Sequence, residues 1–435
     1  MTDVDLMLRF LLQLIAIIGA CKIMGWVGQK FLGQAQVVME MVTGVMLGPS
    51  LFGLIAPDLQ KWLFPIKQEY IIKGITTASK HPSMFILYTV AQMGLVLYMF
   101  LVGLEFDVKL VANRAKGAIS VSVAGILVPF ILGVALAMAT SGRTDLFAAG
   151  ISNNAAALYM GAAMCITAFP MLARIVYERG IAGTTMGTLA LGAGATDDAA
   201  AWCMLAVVLA SSKNNWNYAW FAIGGGILFG VLVMTLGRAY FARLGEWVVR
   251  DGKLSQAAFV TTMLFLFAGA YITDAIGIYA VFGAFIIGAA MPRGQFAIEI
   301  RAKLESLTVG VMLPFFFIYS GLNTKLDLLN TPELWLIAGL ACAAAIIGKG
   351  VACALAAKMS GEPWRESWAI GTLMNARGLM ELIILNIGLQ QKVITPTLYT
   401  MMVLMAILTT LMASPIFLWI YGKQSKPTLT DALAA

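Results

Sequence analysis

Long apolar runs separated by short basic segments constrain this chain more than any other feature. Stretches able to cross about 30 Å of hydrocarbon as helices fall at 7–27, 36–54, 87–104, 115–140, 155–177, 185–210, 217–237, 256–274, 277–291, 304–322, 333–357, 366–389 and 398–420. Backbone in lipid must satisfy its N–H and C=O groups internally, so runs of this length fold as helices. We therefore expect an all-α polytopic membrane protein with about 13 transmembrane helices.

The charges agree. Only 12% of residues are charged and 60% are hydrophobic, against roughly 25% and 45–50% in soluble domains. The net charge of +7 would suit nucleic acid, but the basic residues lie between apolar spans and form no basic–aromatic stripe. No nucleic-acid partner is expected. Placing the N-terminus outside puts 17 of the 29 basic residues on the cytoplasmic side, as the positive-inside rule requires; Lys61, Lys67, Lys73 and Lys80 dissent. The C-terminus is then cytoplasmic. Five cysteines all fall inside spans without CxxC spacing, and His81 is the single histidine. A disulfide framework, a zinc site and a cofactor are not expected. The acidic start, Met1–Leu6, argues for an uncleaved first span. We read one transmembrane domain, 1–425, with a short cytoplasmic tail, 426–435.

A faint repeat runs through the spans. GVMLGPSLFG (44–53) is matched by AFIIGAAMPRG (284–294), and FLVGLEFDVKL (100–110) by FIYSGLNTKLDL (317–328). Each pair is seven spans apart, an odd number, so the matched pieces point oppositely across the membrane. Inverted repeats with sites near the midplane are a recurrent transporter plan.

Asp197 and Asp198 sit side by side within 185–210. One charge at that depth costs about 2.5–3.5 kcal/mol on translocon scales, so a proton, a metal cation or a base must offset two. Successive helical residues point about 100° apart: one can face a water-filled cavity while the other faces a neighbouring helix. Lys349, between Gly348 and Gly350, is the buried base. We assign it to Asp197, which leaves Asp198 as the alkali-cation ligand; the bland alternative is a structural ion pair, which leaves the second aspartate unexplained.

Two spans carry interruptions. Thr167, Ala168, Phe169 and Pro170 break the fifth, where proline removes a helical hydrogen bond. Asn375, Ala376, Arg377 and Gly378 break the twelfth. Unwound backbone at membrane depth is tolerated only where protein buries it or it lines a cavity; the alternative is a simple kink. Thr196, Thr167 and Asn375 offer the neutral oxygens a dehydrated alkali cation needs beside a carboxylate. Arg377 and Glu381, spaced i, i+4, should neutralise each other. Glu40 lines a cytoplasmic funnel or sits at headgroup level. GAGA (192–195) completes no dinucleotide fingerprint.

TAFPMLARIVYERG (167–180), GATDDAAAW (194–202), GKG (348–350) and MNARGLMELIILNIG (374–388) resemble the monovalent cation:proton antiporter family. The likeness is to its second branch, bacterial Na+(K+)/H+ antiporters and plant cation/H+ exchangers. VVMEMVTGVMLGPSLFG and FLVGLEFDVKL fit the same family's early spans. The resemblance implies a Na+/H+ antiporter fold with two crossing discontinuous helices, and a core domain (near 115–210 and 333–420) moving elevator-fashion against a dimerisation part (near 7–104 and 217–322). It implies a homodimer in a bacterial inner membrane. It maps the family's acid pair onto Asp197 and Asp198 and its lysine onto Lys349, a combination that goes with electrogenic exchange. The expected function is exchange of Na+ and/or K+, with Li+ possible, for H+ through Asp198, about two protons per cation. A sodium-coupled solute symporter of similar fold is the main alternative. A cation channel is a lesser one, and an intramembrane aspartyl protease is disfavoured because its aspartates must lie on separate helices.

Overall fold

The computed structural model describes residues 3–34, 36–65, 67–72, 75–105, 115–181, 184–212, 216–251 and 253–422. The tail at 426–435 and part of the repeat, 106–110, lie outside the described residues. Helix α1 spans Asp3–Val27, α2 Gln36–Leu47, α3 Pro82–Glu105, α4 Ala115–Ala139, α5 Asn153–Cys165, α6 Phe169–Glu178, α7 Thr185–Ser212 and α8 Trp216–Leu232. After it come α9 Gln256–Ile276, α10 Ala280–Ala290, α11 Leu313–Leu322, α12 Pro332–Ala345, α13 Ala352–Met359, α14 Trp364–Met374, α15 Leu379–Gln390 and α16 Pro396–Tyr421. Among the described residues nine helical runs are long and apolar enough to cross a membrane. The other expected crossings fall on α7, on the short α10, and on two interrupted pairs, α5 with α6 and α14 with α15.

Local chemistry places several starts. Ser152 caps α5 by accepting from the Ala155 N–H at 3.2 Å, and Thr395 caps α16 by accepting from Leu398. Such caps satisfy donors a helix start leaves free. Pro332 and Pro396 occupy first-turn positions, where a missing N–H costs nothing.

One segment departs from the all-helical expectation. Within the lysine-bearing 55–86 connection, β1 (Lys67–Ile72) and β2 (Ile75–Lys80) form an antiparallel hairpin, with Lys67 opposite Lys80 and Ile72 opposite Ile75. Its isoleucines, tyrosine and threonines favour extended backbone.

The chain clusters into two compact units. The first comprises Met1–Val27, Met39–Phe106 and Asn217–Lys325. Its helices approach closely at glycines: Gly48 lies against the Gly321 backbone, and Gly103 against that of Gly288. These are the repeat's own residues, since Gly48 is matched in sequence by Gly288 and Gly103 by Gly321. The exchange of partners is what an internal pseudo-two-fold axis produces. A side chain at any of the four would meet backbone, so only glycine permits the crossing.

The second unit comprises Gly28–Val38, Asp107–Trp216 and Leu326–Ala435. Val121, Leu172, Leu189, Cys353, Ile370 and Phe417 belong to one buried cluster that binds α4, α6, α7, α13, α14 and α16. Both interrupted helices and both aspartates lie in this unit.

Candidate functional site

The two interruptions cross. Helix α5 ends at Cys165, and Ile166 is extended (φ −73°, ψ 136°). Helix α14 ends at Met374, and α15 starts only after Gly378, whose φ of 150° suits glycine. Between these breaks the Ala168 N–H donates to the Ala376 carbonyl at 3.2 Å. The first break lies earlier than the proline suggested. Phe169 and Pro170 already belong to α6, because proline is at home in a first turn and disruptive only further in. Thr167 and Ala168 remain in the break, as do Ala376, Arg377 and Gly378, while Asn375 is the C-cap of the preceding helix.

Helix α5 thus presents its C-terminal carbonyls inside the protein, where unpaired acceptors and the negative dipole end need cations. Two residues supply them. Arg377 donates to Met164 O at 2.5 Å and Ala163 O at 3.4 Å, and Lys349 Nζ donates to Cys165 O. Arg377 does meet Glu381, at 3.4 Å, but its shorter bond goes to the helix end. Its own backbone N–H donates to Thr410 Oγ1 on α16 at 3.0 Å, which fixes the second break.

Lys349 sits in a π-type turn, Ile346–Val351, between α12 and α13. The widened turn lets its side chain leave the helix surface, and it is fully buried. Its Nζ lies 2.9 Å from Asp197 Oδ2. Thr167 Oγ1 donates to the same oxygen at 2.6 Å, and Ser122 Oγ on α4 donates to Oδ1 at 2.6 Å. Asp197 is therefore held by three donors from three chain segments.

Asp198 is equally buried, at 3% exposure, yet among the described residues its Oδ1 accepts no hydrogen bond. A carboxylate oxygen buried without a donor is costly unless a proton or a cation neutralises it. The half-buried Thr196 turns its hydroxyl back to Gly192 O at 2.9 Å, as helical threonines commonly do, and its lone pairs stay available. Among the described residues Asn375 Oδ1 and Glu381 Oε1 are likewise buried without a donor. Glu40, buried on α2, belongs to the first unit.

Ser122 escaped the reading of the sequence. Its only signal was hydroxyls in an apolar span, shared with Ser120, which is exposed; packing alone picks the one that reaches Asp197. The role of the α5 carbonyls was equally invisible, because backbone acceptors leave no compositional trace.

The family described as sodium/hydrogen exchanger, transmembrane, matches residues 15–420. The Na(+)/H(+) antiporter NhaS4 of Synechocystis sp. is 39% identical over 425 residues, covering 96% of this chain and 98% of the relative. Cation/H(+) antiporter 18 of Arabidopsis thaliana is 33% identical over 94% of this chain, which spans 49% of that relative's length. The solved structure of the sodium proton antiporter MjNhaP1 from Methanocaldococcus jannaschii superposes with a TM-score of 0.63 at 16% identity, covering 95% of this chain and 96% of that one. It shows the same fold.

Proposed function

From the premise that this chain belongs to the sodium/hydrogen exchanger family, we propose that it is a secondary active antiporter. It exchanges a monovalent cation, Na+ and/or K+, for protons across a membrane. The observation that carries the reading is the contrast between neighbours: Asp197 is held by Ser122, Thr167 and Lys349, while Asp198 keeps a buried oxygen without a donor among the described residues. Asp198 is the site that a proton and an alkali cation occupy in turn. Neutral oxygens of the crossing breaks, with Thr196 and Asn375, are suited to replace part of the cation's water.

Competition at one carboxylate is enough for exchange when the site opens to one side at a time. The cation leaves only when protons replace it, and protons leave only when the cation does. The Asp197–Lys349 pair beside it holds a second ionisable couple, so a further proton can travel with the cycle and leave net charge moved. We assign about two protons per cation, electrogenic transport and an elevator-type displacement of the 115–210 and 333–420 segments. The working form is a homodimer in a bacterial inner membrane, N-terminus outside.

The test is the collapse of a preset pH gradient in everted vesicles on adding Na+, K+ or Li+. Wild type should respond to one or more of these ions and Asp198→Asn should match empty vesicles. A response that survives the substitution overturns the site. Cation uptake without proton movement would favour a channel, and uptake requiring an organic solute a symporter.

A further inference from the structure

An apolar cleft of about 380 Å³ lies in the second unit, between α14, α16 and the turn that carries Lys349. Its inner end is formed by Gly350 and Asn375, and its outer end by Trp368, Trp419 and Ile420. The seven-residue path from Asn375 back to Trp368 corresponds to roughly 10 Å of helix. The cleft is open to the exterior, where Trp419 is 86% and Trp368 41% exposed. In a bilayer that exterior is hydrocarbon, and small-molecule sites of this kind run from roughly 300 to 1,000 Å³.

The outer end is not merely apolar. Arg365 stands one turn of α14 before Trp368 and donates through Nε to Ile420 O at 3.0 Å and through Nη2 to Tyr421 O at 2.9 Å. Those bonds anchor the guanidinium across the end of α16, over the Tyr421 ring at 5.3 Å. Among the described residues nothing accepts from its Nη1. Lys358 lies over the Trp364 ring at 5.5 Å, adjoining Arg365 in sequence. Tryptophan and tyrosine gather at the headgroup level of a membrane, and basic groups between helix ends attract anionic headgroups. Cations at one end and a chain-sized apolar slot behind them describe one kind of molecule.

We propose that this cleft binds an anionic phospholipid, its acyl chain lying between α14 and α16 and its phosphate held by Arg365 and Lys358. The inner end of the chain would rest on Gly350, next to Lys349, and on Asn375 at the second break. Occupancy should therefore favour exchange, a consequence that rests on the antiport reading, whereas the binding itself does not.

Binding is read by native mass spectrometry of the purified full chain with phosphatidylglycerol or phosphatidylcholine added. Wild type should retain phosphatidylglycerol in preference to phosphatidylcholine. Arg365→Ala should bind phosphatidylglycerol about fivefold more weakly, the share one basic residue contributes near a charged headgroup. Met412→Trp, on the cleft wall, fills the slot without touching a charge and should lose the lipid while keeping the wild-type melting temperature. Equal retention of both lipids, equal retention by all three proteins, or no retention by wild type overturns the proposal. Loss of self-association rather than lipid in Met412→Trp overturns it in favour of a second copy of the chain. Vesicles that exchange ions equally with and without phosphatidylglycerol would remove the coupling to transport while the binding stands.

Discussion

Ser122 Oγ and Asp197 Oδ1 are 2.6 Å apart, a hydrogen bond between α4 and α7 with both groups out of contact with solvent. Together with Thr167 on the other oxygen, it orients the carboxylate so that Oδ2 meets Lys349. Hydrogen bonds to charged groups contribute about 1.5–3 kcal/mol. Ser122→Ala should lower the thermal midpoint of the purified protein, and Ser122→Thr should restore most of it. A midpoint unchanged by the alanine would show that the bond does not hold the two helices together.

Lys349→Ala removes the cation from a fully buried pair and from the Cys165 carbonyl. Leaving a buried charge uncompensated costs about 3–5 kcal/mol, so a large fall in thermal stability is expected. Lys349→Ala/Asp197→Ala, which removes both charges, should be more stable than the single lysine variant. Charge moved per cation, read in proteoliposomes at set membrane potential, should change in any variant that still transports.

The Gly103–Gly288 contact predicts a sharp asymmetry among glycine substitutions. A Cβ on Gly288 would fall on the Phe100 carbonyl, whereas one on Gly339 meets nothing within 4 Å. Gly288→Val should destabilise by about 1–3 kcal/mol or more through overpacking. Gly339→Ala should be neutral or slightly stabilising, as alanine favours helix over glycine. Thermal melts of the two variants side by side decide it.

Arg143, in the connection after α4, donates to both oxygens of Asp145, at 3.1 and 2.7 Å, and pairs with Glu333 at the start of α12. The same connection is tied to the one before α16, where Phe147 bridges Ile394 and Thr395 Oγ1 donates to Asp145 O at 2.6 Å. The Arg143 hydrogen bond holds the Asp145 carboxyl below its ordinary range. A depressed carboxyl stabilises the fold above the unfolded value of about 3.9 and loses that contribution as pH falls through the lower folded value. Arg143→Ala should therefore melt slightly lower than wild type at pH 7, with the gap closing below about pH 3.9 and narrowing in high salt. Melting curves across pH 3–8 and two salt concentrations read both trends.

Sequence alone settled what depends on solvent and on local chain chemistry. Apolar runs of fixed length in a medium without water leave the backbone only helices, and the interruptions of two such runs are visible as Thr167–Pro170 and Asn375–Gly378. The same logic marked Asp197, Asp198 and Lys349 as charges that must be compensated, and the glycine repeat as a symmetry of the chain. The β1–β2 hairpin was missed because the loop was read for its lysines rather than for the β-branched residues between them.

Tertiary structure decided everything that depends on which surfaces meet. The first break, expected over Thr167–Pro170, lies at Ile166–Ala168, since a proline fits in the first turn of a new helix. Arg377 turned mainly to the α5 carbonyls because a helix end inside the protein outcompetes a partner four residues along the chain. Two adjacent aspartates, identical in chemistry, became unlike through the 100° between them: Asp197 met a serine, a threonine and a lysine from three other segments, while Asp198 Oδ1 met no donor among the described residues. Periodicity places a side chain on a face; only packing supplies the groups it will find there.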